Sequence, residues 1–422
     1  MSATRASVRA KIKAKPVLAP ILPGSLVNGQ PATLGVMGGG QLGRMFVHAA
    51  QALGYRTAVL DPDPASPAGL VSHVHVQTGY LDEKGLAQLA REAHAITTEF
   101  ENVPAAALLA LATTRPVAPA ASAVSVAQDR AAEKAHFVRC GVPCAPYALI
   151  ESAQQLDAVA ANLLPGILKT ARMGYDGKGQ IRVKNRAELA AAWAQVKQVP
   201  CVLEKMLALE FECSVIVARG RDGACVSLPV QHNTHREGIL AVTEVFKSNM
   251  PASLEKRAQD AAKSIASELA YVGVLCVEFF VVQGGAGRKP RLVVNEIAPR
   301  PHNSGHYSMN ACDVSQFELQ VRTLAGLPLT QPRQHSAAIM LNLLGDIWPA
   351  RGSAKWDKLL ALPGTHLHLY GKTEARAGRK MGHLNITGKT VTDVQATALK
   401  AARLLGIKPL SHWAAVAVSA NK

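Results

Sequence analysis

Residues 274–297, VLCVEFFVVQGGAGRKPRLVVNEI, place one acid in each of two apolar, strand-like runs. Glu278 interrupts the first run, Glu296 interrupts the second next to Asn295, and a glycine-rich segment separates the runs. Each acid needs a partner, because a buried carboxylate without one is energetically costly. Two such strands pair as a hairpin, which predicts that Glu278 and Glu296 face one hard cation, Mg²⁺. The alternative is a salt bridge from one acid to an Arg or Lys; we favour the metal because acids in two adjacent apolar strands are unusual.

Upstream of this pair, basic and glycine-rich segments suit a bound triphosphate. Lys169 ends a strand-like run, and residues 174–180, GYDGKGQ, form a loop that can close over phosphates. This loop is not a Walker A motif, because G-x-x-x-x-G-K-[ST] is absent. The next strand ends in Glu204-Lys-Met-Leu207, whose backbone edge can bind adenine, and Glu212 can accept hydrogen bonds from ribose hydroxyls.

The first part of the chain alternates strands and helices, which predicts a parallel sheet covered by helices. Strands are expected over 33–37, 56–61 and 95–100, with helices over 41–53 and 82–92. Further helices are expected over 122–139, from 187, and over 254–269, 314–324 and 393–405. Further strands are expected over 166–171, 181–184, 201–206, 211–218, 224–229, 274–282, 291–297, 366–370 and 381–387. The fold class is therefore α/β together with α+β.

The turn Gly38-Gly-Gly-Gln-Leu-Gly43 fits the dinucleotide pattern G-x-G-x-x-G, and Asp61 ends the next strand. Taken alone, it favours an NAD-dependent dehydrogenase, which leaves the paired acids and the Gly-Lys-Gly loop unexplained. Its physical content is narrower, since amides at a helix N-terminus bind the phosphate of any ligand. A tight turn that only packs a helix on a strand is the structural alternative.

Composition limits the classes of function. The chain has 422 residues, 48% of them hydrophobic, and no apolar run of 18 residues that predicts a membrane span. The net charge is +16, but the basic residues are dispersed without interleaved aromatics, which disfavours a nucleic-acid binder. Seven cysteines without a CxxC pair indicate a reducing, intracellular compartment. Residues 1–32 resemble a transit peptide in their basic composition, but their prolines favour a flexible extension.

Two histidine pairs have the spacing of zinc ligands. They are His232 with His235, and His302 with His306. We expect no zinc site at either pair, because no thiolate or carboxylate motif joins them in the sequence.

The order of these motifs resembles the ATP-grasp superfamily from about residue 33 to the C-terminus, and within it the carboxyaminoimidazole ribonucleotide synthases. The stretches that carry this resemblance are GGGQLGRM (38–45), TEFENVP (98–104), QDR (128–130) with EK (133–134), YDGKGQ (175–180), NTHREGI (233–239), NE (295–296), RPHNSGH (300–306), YGK (370–372) and RKMGH (379–383). A formate-using ATP-grasp enzyme that acts on glycinamide ribonucleotide is the nearest alternative, and residues 98–104 and 302–306 match it less well.

The resemblance implies an ATP-grasp fold with five parts. They are a basic flexible extension (1–32), a Rossmann-like preATP-grasp domain (33–128), a small lid (129–207), a catalytic domain (208–345) and a C-terminal antiparallel-sheet segment that completes the ribonucleotide site (346–422). The implied reaction is the ATP- and Mg²⁺-dependent carboxylation of 5-aminoimidazole ribonucleotide with bicarbonate, through carboxyphosphate, in purine biosynthesis. A cytoplasmic homodimer is implied, with no nucleic-acid or membrane partner and with its product passed to a separate mutase.

The resemblance also implies roles for individual residues. Expected ATP contacts are Arg130, Lys169, Gly174, Tyr175, Asp176, Gly177, Lys178, Gly179, Gln180, Glu204, Lys205, Met206, Leu207, Glu212, His235, Asn295 and Glu296. Expected metal ligands are Glu278 and Glu296. Expected ribonucleotide contacts are Gly39, Gly40, Gln41, Leu42, His302, Asn303, Ser304, His306, Lys372, Arg379 and Lys380, where Arg379 and Lys380 compete for the phosphate. Tyr175, Asp176, Lys372 and Arg379 are the expected catalytic residues.

Overall fold

In the computed structural model, which describes residues 19–174, 179–284, 289–349 and 354–414, the N-terminal strands form a parallel sheet. The elements of this region are β1 (Leu26–Val27), β2 (Gln30–Pro31), β3 (Thr33–Met37), α1 (Gln41–Ala52), β4 (Arg56–Leu60), β5 (Val74–Val76), α2 (Glu83–Glu92), β6 (Ala95–Thr98), α3 (Ala105–Ala112), α4 (Ala121–Ala127) and α5 (Arg130–Arg139). The sheet order is β5-β4-β3-β6, with β3 paired in parallel to both β4 and β6. The predicted parallel sheet is confirmed, and β5 was not predicted.

The single helix predicted over 122–139 is wrong, because the chain forms two helices there. Asp129 lies between α4 and α5, and its side chain accepts hydrogen bonds from the backbone amides of Ala131 and Ala132. An aspartate in this position satisfies amides that have no partner inside the helix, so a new helix begins. The break sets the direction of α5, which carries Arg130, Glu133 and Lys134 into the interior.

Residues 19–32 pack on the fold, which differs from the predicted flexible extension. β1 and β2 form a short antiparallel hairpin. Ile21 is buried in a core cluster shared with α1 and the later helix that includes Ala325. The amide of Ile21 donates to the Ala325 carbonyl at 2.9 Å, and its carbonyl accepts from the Tyr55 hydroxyl at 2.6 Å.

A smaller antiparallel sheet spans the segment that the resemblance implies is the lid. Its elements are β7 (Tyr147–Ile150), α6 (Ala153–Asp157), β8 (Gly166–Thr170), β9 (Gln180–Val183), α7 (Arg186–Gln195) and β10 (Cys201–Lys205), and the strand order is β7-β10-β8-β9. β8 and β9 flank the glycine-rich loop, and Lys169 is paired with Gln180. The predicted loop residues Tyr175, Asp176, Gly177 and Lys178 lie outside the described residues.

The largest sheet contains nine strands within the described part of the chain. Its elements are β11 (Leu209–Arg219), β12 (Cys225–Ser227), β13 (Gln231–Arg236), β14 (Ile239–Val245), α8 (Ala252–Glu268), β15 (Gly273–Val282), β16 (Arg291–Ala298), α9 (Ser308–Ala311), α10 (Gln316–Ala325), β17 (Ala337–Leu344), α11 (Trp356–Leu360), β18 (Thr365–Leu369), β19 (Lys380–Gly388) and α12 (Val391–Leu405). The order is β16-β15-β11-β13-β14-β17-β19-β18, with β12 paired to β11. The C-terminal strands therefore join this sheet through β17, so one sheet links the paired acids to residues 380–388.

Hydrophobic clusters cover both faces of this sheet. One cluster joins α8 to β11, β15 and β16, and includes Leu254, Ile265, Val277 and Phe279. Another contains Ile216 and Cys276, which point the other way on β11 and β15, together with Tyr307 before α9. No helix in the described ranges is both long and apolar enough to cross a membrane.

Candidate active site

The predicted hairpin of acids is confirmed. β15 pairs with β16, and Glu278 lies directly opposite Glu296, next to a bulge that separates it from the Phe279 pairing. The two carboxylates differ in exposure, with side chains 12% exposed at Glu278 and 38% exposed at Glu296. Burial, reinforced by the negative charge of Glu296, raises the pKa of Glu278 to about 7. The pair is therefore an electrostatically costly arrangement that a cation relieves.

Each acid also has a side-chain partner. Arg130 approaches Glu296 at 3.1 Å, so the salt bridge that we treated as the alternative exists beside the carboxylate pair. The Nε2 atom of His302 lies 3.3 Å from Glu278 Oε1. Burial holds the pKa of His302 well below its ordinary value, so this contact is made by a neutral imidazole.

A buried ion cluster connects the lid to this hairpin. Lys169 on β8 and Lys134 on α5 each approach the Glu204 carboxylate at 2.8 Å. Lys134 also donates to the Asn295 carbonyl at 3.2 Å, and Lys169 to the Asn295 Oδ1 at 3.5 Å. Burial acts to raise the pKa of Glu204, but the charges of Lys169 and Lys134 outweigh it and hold the pKa at about 2. Because its carboxylate is in contact with two lysines, the part of Glu204 that remains for the predicted adenine contact is its backbone.

Glu212 and His235 form a second pair on neighbouring strands, β11 and β13. The His235 Nδ1 atom lies 2.8 Å from Glu212 Oε2. Burial acts to lower the pKa of His235, but the hydrogen bond to Glu212 and the charge of Glu278 hold it above its ordinary value. The predicted ribose acceptor thus has one oxygen in close contact with a partly buried imidazole.

The glycine turn does not present all of its amides to a ligand. The amide of Gly39 donates to Asp61 Oδ2 at 2.7 Å, and those of Gly40 and Gly43 donate to the Glu99 carboxylate at 2.9 and 3.0 Å. Anions are favoured at a helix N-terminus, and two carboxylates of this chain already fill that role. A Cβ atom at Gly40 would lie 2.4 Å from Glu99 Oε1, which explains a glycine there. The Gly39 and Gly40 amides are thus occupied by side chains of the chain itself, and their assignment to the ribonucleotide phosphate stays a prediction. Gln41 and Leu42 open α1 as predicted.

Two of the residues expected to contact the ribonucleotide are instead fully buried. Ser304 and His306 have no exposed surface, and Asn303 is 5% exposed. Ser304 Oγ lies 2.9 Å from His302 Nδ1 and accepts from the Ser214 hydroxyl at 2.8 Å. Ser304 and His306 consequently support the segment, and His302 is the member that reaches the acids.

The C-terminal cations include Lys380, whose charge acts on Glu278. Lys372 Nζ donates to the Lys380 carbonyl at 2.8 Å, and Arg379 donates to the Glu374 carbonyl at 2.8 Å. Burial, together with the charge of Arg379, lowers the pKa of Lys372 to about 8. Glu101 forms a salt bridge with Arg300, and Arg300 together with Lys380 brings the pKa of Glu101 to about 2 although burial acts to raise it.

Sequence reasoning gave no role to Lys134, Glu133 or Glu99. Lys134 and Glu133 are buried on α5, and the Glu133 carboxylate accepts from the Ile297 amide at 2.7 Å. Arg130, Glu133 and Lys134 have the i, i+3 and i+4 spacing of one helix face, which is the signal that could have found them. Glu99 follows a strand directly, and its partners are backbone amides that no side-chain motif reveals.

Models of three protein domains match consecutive parts of the chain. The ribonucleotide synthetase preATP-grasp domain matches residues 31–128, the ATP-grasp domain 135–317, and the phosphoribosylaminoimidazole carboxylase C-terminal domain 338–397. A Brucella melitensis protein named N5-carboxyaminoimidazole ribonucleotide synthase is 42% identical over 360 residues, which cover 84% of this chain and 95% of that protein. The chain belongs to the N5-carboxyaminoimidazole ribonucleotide synthase family of ATP-grasp enzymes.

Other members of the synthase family agree in sequence and in structure. The synthase of Bacillus subtilis is 39% identical over 358 residues, or 84% of this chain and 90% of that protein. A solved ADP complex of a family member has a TM-score of 0.81 and 37% identity over 92% of this chain and 97% of the other. The Aspergillus clavatus synthase, solved with ADP and 5-aminoimidazole ribonucleotide, has a TM-score of 0.81 and 28% identity over 89% of this chain and 99% of the other. The expected fold class is thereby confirmed, and the chain is an ATP-grasp ligase.

Proposed function

We propose that this synthase-family chain uses ATP to carboxylate 5-aminoimidazole ribonucleotide with bicarbonate. The products are N5-carboxyaminoimidazole ribonucleotide, ADP and phosphate, formed in purine biosynthesis. The observation that carries the proposal is the Glu278–Glu296 pair, which lies between Arg130 on one side and His302 on the other. The pair lies between a cluster of cations that suits a triphosphate and the segment of His302, which suits an imidazole ribonucleotide.

The acid pair suits Mg²⁺, which prefers carboxylate oxygens. Glu278 and Glu296 are cross-strand neighbours whose charges repel each other, and the raised pKa of Glu278 reflects burial followed by that repulsion. We assign the metal to this pair, with Asn295 adjacent. When bound, Mg²⁺ neutralises charge on the phosphoryl group that is transferred.

We assign different residues of the chain to different parts of ATP. Lys169 and Arg130 approach from the lid and from α5, and we assign both to ATP phosphates, with the 174–180 loop closing over them. The backbone of residues 204–207 is assigned to adenine and Glu212 to the ribose. Because Glu204 neutralises two buried lysines, it fixes the position of Lys169 before ATP arrives.

The reaction then proceeds in two transfers. A bicarbonate oxygen attacks the γ-phosphorus, the bond from that phosphorus to ADP breaks, and carboxyphosphate forms. The ribonucleotide amine next attacks the carboxyl carbon, a nitrogen–carbon bond forms, phosphate leaves, and the amine loses a proton. Carboxyphosphate reacts with water, so closure of the 174–180 loop serves to exclude water.

Further assignments belong to this proposal. Tyr175, Asp176 and His302 are assigned to the imidazole ribonucleotide, and Lys372, Arg379 and Lys380 to its phosphate. The enzyme is proposed to be a cytoplasmic homodimer without nucleic-acid or membrane partners. Its product is proposed to pass to a separate mutase.

The test is ADP release with each ribonucleotide, with and without bicarbonate. We expect coupled turnover only when ATP, Mg²⁺, bicarbonate and 5-aminoimidazole ribonucleotide are all present. Turnover with glycinamide ribonucleotide and formate instead would show that the acceptor and the one-carbon donor are wrong.

A further inference from the structure

A thiol, a carboxylate and an imidazole lie close together where β15 packs against the segment that follows β16. Cys276 and Glu278 alternate on β15, so both side chains point to the same face of the sheet. His302, which follows β16, reaches that face as well. One ligand atom from each of Cys276, Glu278 and His302 lies within 4.8 Å of the other two.

The imidazole of His302 is held in a defined orientation. Its Nδ1 atom is 2.9 Å from Ser304 Oγ, and Ser304 is in turn bonded to Ser214 at 2.8 Å. The opposite ring nitrogen, Nε2, therefore points at Glu278, 3.3 Å from Oε1. Nδ1 also accepts from the Ser304 amide at 3.4 Å. When Nε2 binds a metal, the ring proton lies on Nδ1, and Ser304 Oγ is within reach to accept it, as the outer partner of a metal-bound histidine does.

The residues in the cluster favour a softer metal than Mg²⁺. Carboxylate oxygens suit both ions, but a thiolate and an imidazole suit Zn²⁺ and are poor ligands for Mg²⁺. The histidine pairs were excluded as zinc ligands because the sequence joins no thiolate or carboxylate to them. The fold supplies both to His302 from β15. Arg300, two residues before His302, forms a salt bridge with Glu101, which neutralises its charge.

We propose that Cys276, Glu278 and His302 form a Zn²⁺ site that overlaps the Mg²⁺ site and inhibits the enzyme. Zn²⁺ binds the Cys276 thiolate, and the thiol proton passes to the buffer. Three protein ligands leave a fourth position for water or an anionic substrate oxygen. Because Glu278 is shared, Zn²⁺ at this site removes a ligand from Mg²⁺ and blocks phosphoryl transfer. Only the inhibition rests on the proposed function; the binding does not.

Binding is measured directly on the full chain, without ATP or Mg²⁺. Co²⁺ serves as the spectroscopic probe, because a thiolate ligand gives a near-ultraviolet charge-transfer band. Zn²⁺ affinity is measured by competition with a chromophoric chelator. The variants are Cys276→Ala and Cys276→Ser, with Cys213→Ala as the matched control. Cys213 is a buried thiol on neighbouring β11 whose side chain belongs to the hydrophobic cluster on the opposite face.

We expect wild type and Cys213→Ala to show the thiolate band with Co²⁺. One equivalent of Zn²⁺ should displace the Co²⁺ and abolish the band. Both Cys276 variants should lose the band and bind Zn²⁺ at least about tenfold more weakly. With Mg²⁺ and substrates, the Cys276 variants should keep wild-type turnover but need at least about tenfold more Zn²⁺ for half-inhibition.

A thiolate band that persists in folded Cys276→Ser, or no band in wild type, would overturn the site. Zn²⁺ inhibition equal in Cys276→Ser and wild type would overturn the inhibitory role. If the band depends on Cys276 while no ribonucleotide is turned over, the proposed function fails and the metal site stands.

Discussion

Glu278 and Glu296 share one site but have different surroundings, and their substitution tests the metal assignment. Glu278→Gln and Glu296→Gln should each lower kcat on the order of 100-fold or more, because each removes charge that holds Mg²⁺ at the transferred phosphoryl group. Circular dichroism should show an intact fold. The matched control is Glu244→Gln, a buried acid of the same sheet that bonds His412 and Trp413. Full activity in either active-site variant at moderate Mg²⁺ would contradict the assignment.

Lys372 gives the site a pH dependence with a defined sign. Its pKa is lowered to about 8, so it is charged below that pH and neutral above it. If Lys372 binds the ribonucleotide phosphate, kcat/KM for the ribonucleotide should fall as pH rises through about 8. Lys372→Arg should remove this fall, because arginine stays charged throughout. The same profile measured for ATP at saturating ribonucleotide is the control, and an equal fall there would place Lys372 at the nucleotide.

Some site residues were predictable individually and others were not. Glu278 and Glu296 are visible in sequence because a charge in an apolar strand demands a partner. Lys134 lies in an ordinary-looking polar helix, and its role depends on a contact with Glu204 that only the tertiary fold creates. Ser304 and His306 were assigned to the pocket by motif alone, and their complete burial could not be read from the motif.

The break between α4 and α5 is the element on which the position of Arg130 depends. Asp129→Ala should lower stability by about 1 kcal/mol through loss of the N-cap. It should also raise the KM for ATP, because α5 carries Arg130 to Glu296. Ser152→Ala, which removes the N-cap of α6 in the lid, is the matched control. It should lower stability without changing the KM for ATP, as measured by urea unfolding and initial rates.

Most strands with apolar sequence were predicted closely, but the apolar strands β14 and β17 were missed, as was the polar strand β13. β3, β8, β15 and β16 read as strands from their own residues. β13, with the sequence QHNTHR, does not, because its strand conformation comes from pairing with β11 and β14. The break at Asp129 was missed because the apolar spacing of residues 122–139 continues across it.

Residues 19–32 tie the N-terminus to two parts of the molecule, since Ile21 contacts both Ala325 and Tyr55. Ile21→Ala should lower the free energy of unfolding by about 2 kcal/mol, the lower end for removing a buried aliphatic side chain. The adjacent Leu22 is 53% exposed, so Leu22→Ala should be nearly neutral. If urea unfolding shows Ile21→Ala to be as nearly neutral as Leu22→Ala, residues 19–32 do not stabilise the fold.

The pairing of β17 with β19 puts residues 380–388 in the same sheet as Glu278 and Glu296. The most direct test supplies labelled bicarbonate and labelled formate in parallel, with ATP, Mg²⁺ and each ribonucleotide, and detects product by mass. We predict that label from bicarbonate enters the product only when 5-aminoimidazole ribonucleotide is the acceptor, with one phosphate released per carboxylation. Label from formate, or none from bicarbonate, would contradict the proposed function.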